Sequence, residues 1–208
     1  MIEVLTANTP NGKKITIMLE EIGFEYKIKI ININKDEQFS PDFEKISPFR
    51  KIPVIIDHKN NLSIFESGAI LMYLGEKSGR FYSEDKRILI NQWLMGQMAY
   101  VGPMLGQHHQ FHYYNPGKSK FGEERYFKVC RRIYQELDKR LSVSQYLAYE
   151  KYSIADIATF PWIARHEWHD IGLKNFKNLT RWYKEISSRK SVIKGYDLLK
   201  KDEKIPNV

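Results

Sequence analysis

The chain has 208 residues, 42% of them apolar, and a net charge of +8 from 33 basic and 25 acidic side chains. That length is enough for one large or two small domains, and the apolar content argues against a disordered chain. No apolar run approaches the roughly 18 residues of a membrane-spanning helix, and no signal peptide is recognisable, so we expect no membrane partner. The basic residues are dispersed among acidic ones, which favours a solvated surface, with an anionic small ligand as the alternative, over a nucleic-acid interface.

Cysteine usage restricts the thiol chemistry that the chain can perform. Cys130 is the only cysteine, which excludes an internal disulfide and a Cys-x-x-Cys redox pair. Any thiol reaction must therefore use a thiol from a ligand, or Cys130 alone. A cytoplasmic location fits this usage. We expect Cys130 to be a half-buried helical residue, although basic neighbours on its helix leave a reactive thiol open.

The first 80 residues alternate between strand and helix patterns. A short strand at 2–5 precedes a helix from Asn11 whose apolar residues recur with helical spacing, and Gly23 ends that helix. Alternation at 26–30 indicates a half-exposed strand, and a short helix near 41–46 interrupts the polar loop that follows. Strands at 54–57 and 62–65 and a helix at 67–77 complete the series. The order β-α-β, then β-β-α, predicts an α/β thioredoxin-like domain with a mixed four-stranded sheet over residues 1–80.

After a linker at 79–86, no convincing strand appears. Helical patterns run over 87–112, 121–141, 154–170 and 176–188. Ser153 and Asp156 form a capping-box-like start, with Asp156 in place of the usual glutamate. We therefore predict an all-helical C-terminal domain over residues 87–208.

The segment from Arg50 to Ile70 carries the most specific functional signal. Pro53 opens an apolar strand, and the backbone just before it, at Ile52, is predicted to remain unpaired and able to bond an extended peptide. We expect the Ile52–Pro53 bond to be cis. Ser67, at a helix start, offers a hydroxyl and free N–H groups to a carboxylate, and Glu66 can accept an ammonium group from the same ligand. These features predict a receptor for a γ-glutamyl peptide.

Six ordered motifs spread over residues 1–200 resemble the Nu class of the glutathione transferases, which includes bacterial glutathione-dependent disulfide-bond oxidoreductases and is related to a fungal nitrogen regulator. They are Ala7-Asn8-Thr9-Pro10-Asn11-Gly12-Lys13-Lys14-Ile15, Gln38-Phe39, Ile46-Ser47-Pro48, Phe65-Glu66-Ser67-Gly68-Ala69-Ile70, Gly102-Pro103-Met104-Leu105-Gly106-Gln107 and Tyr152-Ser153-Ile154-Ala155-Asp156. The resemblance implies the two-domain glutathione transferase architecture, bound glutathione as co-substrate and a homodimer.

The resemblance also implies roles for individual residues. Thr9 and Asn11 would contact the glutathione sulfur. The alternative is that they only cap the helix, because both residue types are favoured at helix starts. Gln38 and Lys51 could hold the glycine carboxylate, and Ile52 would contribute its backbone. The family's register favours Arg132 over its neighbour as a second-domain arginine for an anionic sulfur or a second glutathione. A surface ion pair of Arg132 with Glu136 or Asp138 is the alternative.

Histidines concentrate in the second half. His108 and His112 have the i, i+4 spacing of a zinc-binding face, but no third ligand is apparent, and we predict no metal. The aromatic residues around them favour plain packing, with a cleft wall for an acceptor substrate as the alternative.

The resemblance leads to a specific functional expectation. Glutathione bound as a thiolate would reduce a small disulfide, and a second glutathione would resolve the mixed disulfide without a protein cysteine. Alternatives are glutathione conjugation, peroxide reduction, or a catalytically idle glutathione-binding regulator.

Overall fold

A computed structural model describes all 208 residues and divides them into two compact units. The first comprises Met1–Tyr82 and Lys190–Lys204, and the second comprises Ser83–Arg189 and Ile205–Val208. None of the helices combines the length and the apolar character needed to cross a bilayer.

The first unit has the predicted thioredoxin-like topology. Its strands are β1 (Ile2–Thr6), β2 (Tyr26–Ile30), β3 (Val54–Asp57) and β4 (Leu62–Phe65), and its first three helices are α1 (Pro10–Ile22), α2 (Pro41–Ile46) and α3 (Ser67–Ser78). The sheet order is β2-β1-β3-β4, with β1 and β2 parallel and the other two pairs antiparallel. The prediction of a mixed four-stranded sheet is therefore confirmed.

Successive side chains of β1 point to opposite faces of the sheet, and those on each face contribute to an apolar layer. Leu5 packs with Ile31, Phe43 and Val54 in one buried cluster. Helix α1 packs against α3, and its apolar residues Ile15, Ile17, Met18 and Leu19 are all fully buried. Gly23 ends α1 in the left-handed conformation, at φ 72°, as its position in the sequence predicted.

The second unit is helical, as predicted. It contains α4 (Arg87–Gly96), α5 (Gly102–His108), α6 (Lys120–Leu141), α7 (Ile154–Ile163), α8 (His166–His169) and α9 (Lys177–Ser187). The single helix predicted over 87–112 is instead interrupted by two π-helical segments, Gln97–Val101 and His109–Tyr114. Pro103 lacks the N–H that would bond the carbonyl four residues earlier, so the ladder cannot continue unchanged through this region.

The capping box of α7 is present and buried. Asp156 accepts hydrogen bonds from the Ser153 backbone N and hydroxyl, both at 3.0 Å, from the Leu147 N at 2.9 Å and from Trp182 Nε1 at 2.9 Å. Four donors compensate this carboxylate for its full burial and tie α7 to α9.

The predicted boundaries differ from the structure at the C-terminus. Residues 190–204 were assigned with the helical domain, but they belong to the first unit, where α10 (Lys190–Asp197) packs on α1. The Lys13 ammonium donates to the Tyr196 carbonyl and lies 2.8 Å from a Glu203 carboxylate oxygen, and Thr16 Oγ1 donates to the Gly195 carbonyl at 2.7 Å. Two features concealed this helix in the sequence. The tail is rich in charged residues, and one of the residues it packs on, Lys13, is itself a buried lysine.

Candidate functional site

A cleft in the first unit gathers most of the residues singled out from the sequence. Its lining consists of Asn11, Ser47, Lys51, Ile52, Pro53, Phe65, Glu66 and Ser67. The start of α1, the loop before β3 and the junction of β4 with α3 contribute these residues. The topology therefore brings together side chains separated by 56 positions in the sequence.

The loop before β3 is fixed by Ser47, for which the sequence analysis predicted no role of its own. Ser47 is 1% exposed, and its hydroxyl donates to the Lys51 carbonyl at 2.8 Å and accepts from the Lys51 N at 3.1 Å. The Ile52–Pro53 bond is cis, as predicted. This arrangement places the Ile52 backbone at the wall of the cleft.

Glu66 and Ser67 adopt a geometry that helix capping does not explain. Helix α3 begins at Ser67, and its N-cap residue Glu66 makes no side-chain capping bond. Glu66 has φ 68°, a conformation unusual for a residue with a side chain and one that clusters at ligand-binding sites. Glu66 is exposed, because β4 is an edge strand whose end is open to solvent.

Ser67 is backed by a buried cation. Ser67 is 4% exposed, and the ammonium of Lys14, which is 1% exposed, donates to its Oγ at 3.2 Å. Burial lowers the pKa of Lys14 well below its ordinary value, and the Glu66 carboxylate partly opposes that change. The sequence contained a signal for Lys14, since it falls on the same helical face as Ile17 and Met18.

Thr9 and Asn11 have different environments. Thr9 is the N-cap of α1, and its Oγ1 accepts a hydrogen bond from Gly12 N at 3.1 Å. The helix-starter interpretation therefore holds for Thr9, whose hydroxyl hydrogen is not used in that bond. Asn11 lies in the first turn and lines the cleft, whereas Thr9 does not.

Gln38 and Lys51 differ in their relation to the cleft. Lys51 is exposed and lines the cleft. Gln38 lies on a short 3₁₀ turn, Glu37–Phe39, outside the cleft lining, and its amide N donates weakly to the Ile33 carbonyl at 3.5 Å. Its side-chain carbonyl is buried without a hydrogen-bond partner. The pairing of these two residues on one ligand group remains a prediction.

Arg132 belongs to the second unit. It is exposed on α6 and lines an open depression with Tyr100, Phe121, Glu124, Arg125, Lys128 and Val129. Asp138, one of the ion-pair partners considered for it, instead accepts hydrogen bonds from the Asn178 and Leu179 backbone at 2.7 and 2.9 Å.

The histidines form a buried hydrogen-bonded network. His109 Nε2 lies 2.8 Å from His169 Nε2, and the Tyr134 hydroxyl lies 2.7 Å from His169 Nδ1. His108 Nε2 donates to the His169 carbonyl at 2.9 Å. Burial lowers the pKa of all three imidazoles, that of His109 to about 3. No group of three histidine, cysteine or acidic side chains is placed to hold a metal ion.

Cys130 is inaccessible, contrary to the expectation of a half-buried residue. It is fully buried, its Sγ lies 3.5 Å from the Met104 carbonyl oxygen, and burial raises the pKa of the thiol to about 12. The basic residues beside it in sequence point outward, because Arg131 and Arg132 are exposed. A thiol in this state is a poor nucleophile at neutral pH.

We expect Cys130→Ser to retain nearly all of the glutathione-dependent disulfide reduction that the sequence predicts, because a buried thiol with a raised pKa is a poor nucleophile. Steady-state reduction of a small disulfide by glutathione measures the effect, and the melting temperature verifies the fold. A folded variant without turnover would show that Cys130 is the nucleophile.

Comparison with known proteins identifies the family. Residues 4–76 match the glutathione S-transferase N-terminal domain, and residues 104–190 match the C-terminal domain. The chain is 43% identical over 207 residues to the disulfide-bond oxidoreductase YfcG of Escherichia coli, covering 96% of this chain and 95% of that protein. The chain belongs to the glutathione transferase family.

Two crystal structures of glutathione transferases superpose closely on this fold. One, from Burkholderia graminis, has two glutathione molecules bound per subunit, a TM-score of 0.90 and 35% identity, covering 96% of this chain and 88% of that chain. The other, from Pseudomonas putida, has one glutathione disulfide bound per subunit, a TM-score of 0.89 and 40% identity, covering 95% of this chain and 91% of that chain. The glutathione transferase architecture expected from the sequence is thereby confirmed.

Proposed function

We propose that this glutathione transferase is a glutathione-dependent disulfide reductase whose reacting thiols both come from glutathione. The observation that carries the proposal is the cleft at Asn11, Ser67 and Ile52 in a chain whose one cysteine is buried. The name of the E. coli relative and the ligand of the P. putida structure point to the same chemistry.

The cleft suits the two ends of a glutathione molecule. Ser67 and the N–H groups of the first turn of α3 would take the γ-glutamyl carboxylate, and Glu66 would take the ammonium. The backbone carbonyl and N–H of Ile52, at the cleft wall, would bond the cysteinyl backbone. Lys51 is assigned to the glycine carboxylate together with Gln38, and the binding of an anionic group by Arg132 stays an expectation from the family resemblance.

The reaction balances with two glutathiones for each disulfide. The first thiolate, stabilised by Asn11 and Thr9, attacks one sulfur of the substrate, forms a mixed disulfide and expels the other sulfur as a thiolate that takes up a proton. The second glutathione thiolate attacks the glutathione sulfur of the mixed disulfide, forms glutathione disulfide and releases the second substrate thiol. The protein contributes orientation and charge stabilisation.

Turnover distinguishes this proposal from its rivals. Reduction of 2-hydroxyethyl disulfide by glutathione should proceed well above the uncatalysed rate and yield one glutathione disulfide per substrate reduced. Binding of glutathione without turnover would make the protein a regulator. Turnover confined to electrophiles or peroxides would make it a conjugating or peroxide-reducing transferase.

We expect Ser67→Ala and Glu66→Ala each to weaken glutathione binding by roughly 2 kcal/mol or more, because each leaves a charged ligand group without its partner. Isothermal titration calorimetry measures the loss. Lys59→Ala, an exposed lysine outside the cleft lining, is the matched control and should bind normally. Unchanged affinity in both cleft variants would refute the assignment of the γ-glutamyl group.

We also infer a cytoplasmic homodimer. Helix α4 leaves the apolar side chains Ile88, Leu89 and Met95 open to solvent, at 72%, 43% and 46% exposure, and a second subunit could cover them. Sedimentation equilibrium on the full chain would give a mass of about twice 24.7 kDa; a monomer at micromolar concentration would refute the inference.

A further inference from the structure

A second pocket lies in the first unit, outside the candidate glutathione cleft. It encloses about 590 Å³ between the sheet and the segment that carries α2, which is within the volume range of small-molecule sites in proteins. It shares no lining residue with the cleft. A molecule bound here would therefore be separate from the glutathione of the proposed reaction.

Much of the wall of this pocket is apolar. Five apolar side chains line it: Leu5, Ile31, Phe43, Ile46 and Ile56. The first three are buried in one cluster, whereas Ile46 and Ile56 are only partly buried and pack against that cluster. Helix α2 has six residues and is too short to cover the whole of this face of the sheet. The pocket thus offers apolar surface to the hydrocarbon part of a ligand.

The charged residues of the pocket are mostly acidic, although the chain as a whole carries a net charge of +8. Three carboxylates line it, those of Glu3, Glu37 and Asp42, against the single ammonium of Lys29. A hydrogen bond from Lys45, at 2.8 Å, and the nearby Lys29 hold the pKa of Asp42 below its ordinary value. These two lysines account for Asp42 and leave Glu3 and Glu37 as the acidic groups of the pocket.

Glu3 is the least exposed of the three carboxylates. It lies on the inner strand β1, its side chain is 17% exposed, and its Oε2 lies 2.9 Å from His58 Nε2 and 3.3 Å from Lys27 Nζ. Burial acts to raise the pKa of Glu3, but these two contacts outweigh it and hold the pKa below its ordinary value. Its Oε1 accepts no hydrogen bond, and Glu37 likewise uses only Oε2, which accepts from Asn32 N at 2.7 Å. Each of the two carboxylates therefore keeps one oxygen for a further donor.

We propose that this pocket binds a small organic cation with an apolar body. The ammonium or amidinium group of the ligand donates to Glu3 and is attracted by Glu37, and its hydrocarbon part packs on Ile46 and Ile56. Hydrogen bonds between charged groups are roughly twice as strong as neutral ones, which favours a cation over a neutral molecule of the same shape. An anion is repelled by the same carboxylates. The inference is independent of the proposed disulfide reduction.

Three probes with one hydrocarbon body and different head groups test the proposal: phenylbutylamine, phenylbutanol and phenylbutyrate. Each is titrated into the full chain labelled at its isoleucine methyl groups, and binding is followed by nuclear magnetic resonance. The amine should shift the methyl signals of Ile31, Ile46 and Ile56 and leave that of Ile157, in the second unit, unmoved. It should bind about tenfold or more tightly than the alcohol, the ratio expected for a hydrogen bond to a charged group. The anionic phenylbutyrate should leave the three signals in place.

Three variants locate the charge that is responsible. Glu3→Gln keeps the size of the side chain and removes its charge, so it should bring the affinity of the amine to within about threefold of that of the alcohol. Glu37→Gln, at an exposed residue that can still accept from Asn32, should reduce the preference for the amine by a smaller factor. Glu25→Gln removes an exposed carboxylate of the first unit outside the pocket lining and is the matched control, with a wild-type preference.

Several results would overturn the proposal. One is an amine that binds no better than the alcohol, or that shifts isoleucine signals elsewhere. Another is a loss of preference in Glu25→Gln as large as in Glu3→Gln, because the amine would then respond to the general charge of the protein. Should Glu3→Gln not fold, Glu37→Gln decides, and a wild-type preference in that folded variant excludes recognition by the acidic groups of the pocket.

Discussion

The free energy of unfolding should fall between pH 7.5 and pH 5. Three buried imidazoles, His108, His109 and His169, have pKa values lowered by burial in the folded protein, that of His109 to about 3. In the unfolded chain they regain a pKa near 6.5 and bind protons that the folded state does not. The contribution of these histidines to the free energy of unfolding is therefore fully present above pH 6.5. It is lost as the pH falls, by up to about 1.4 kcal/mol per histidine per pH unit.

The geometry explains why these histidines resist protonation. His109 and His169 face each other through their Nε2 atoms at 2.8 Å, a contact that holds one hydrogen, and a second proton would place two donors against each other. Asp156 acts in the opposite direction, because burial raises its pKa to about 6 and the folded state gains protons below that pH. One carboxyl offsets only part of the effect of three imidazoles.

Urea unfolding followed by tryptophan fluorescence measures how the stability of the second unit depends on pH. This unit contains the three histidines, and all four tryptophans lie within its segment Ser83–Arg189. His109→Gln should reduce the slope of stability with pH, because it removes one imidazole that burial keeps neutral in the folded state. A stability that stays constant from pH 7.5 to pH 5 would contradict the neutral network.

Asn11→Ala should slow disulfide reduction near neutral pH by about one to two decades. Asn11 is the side-chain amide that lines the cleft, and a donor to a charged sulfur contributes roughly 1.5–3 kcal/mol. Its loss should raise the pKa of the bound thiol, so the deficit should shrink at higher pH, where glutathione ionises unaided. The pH–rate profile of the purified variant measures this shift.

A purely structural role for Asn11 predicts a different pattern. As a residue of the first turn of α1, it could affect only helix stability, and then the melting temperature would fall while the pH–rate profile kept its shape. Ser40→Ala provides a comparison, because Ser40 caps α2 by accepting a hydrogen bond from Phe43 N and lies outside the cleft lining. It should lower the melting temperature, by an amount corresponding to about 1 kcal/mol.

The fold of the first unit followed from local patterns because each element carries its own signal. Helical spacing predicted α1, the proline-led apolar run predicted β3, and Gly23 predicted the end of α1. The C-terminal helix α10 escaped prediction because its burial depends on Lys13 and Thr16, which are distant in sequence and polar. The π-helical interruptions also escaped, since they leave the apolar spacing of 87–112 nearly unchanged.

The same distinction between local signals and contacts made by folding decides which site residues could be predicted. Residues that stand at element boundaries, such as Pro53, Glu66 and Ser67, could be located from the sequence. Lys14 stands on the apolar face of α1 and Ser47 in one of the family-like motifs, but their hydrogen bonds to Ser67 and Lys51 are seen only in the structure. Gln38 was placed by resemblance, and the structure puts it on a neighbouring turn outside the cleft lining.

Titration of bound glutathione tests the central claim most directly. The thiolate absorbs in the ultraviolet, and the Cys130→Ser variant removes the protein's only thiol from the signal. With this variant saturated by glutathione, we predict a thiol pKa at least one unit below that of free glutathione, because Asn11, the Thr9 hydroxyl and the start of α1 stabilise the anion. A bound thiol that titrates with free glutathione would contradict the account.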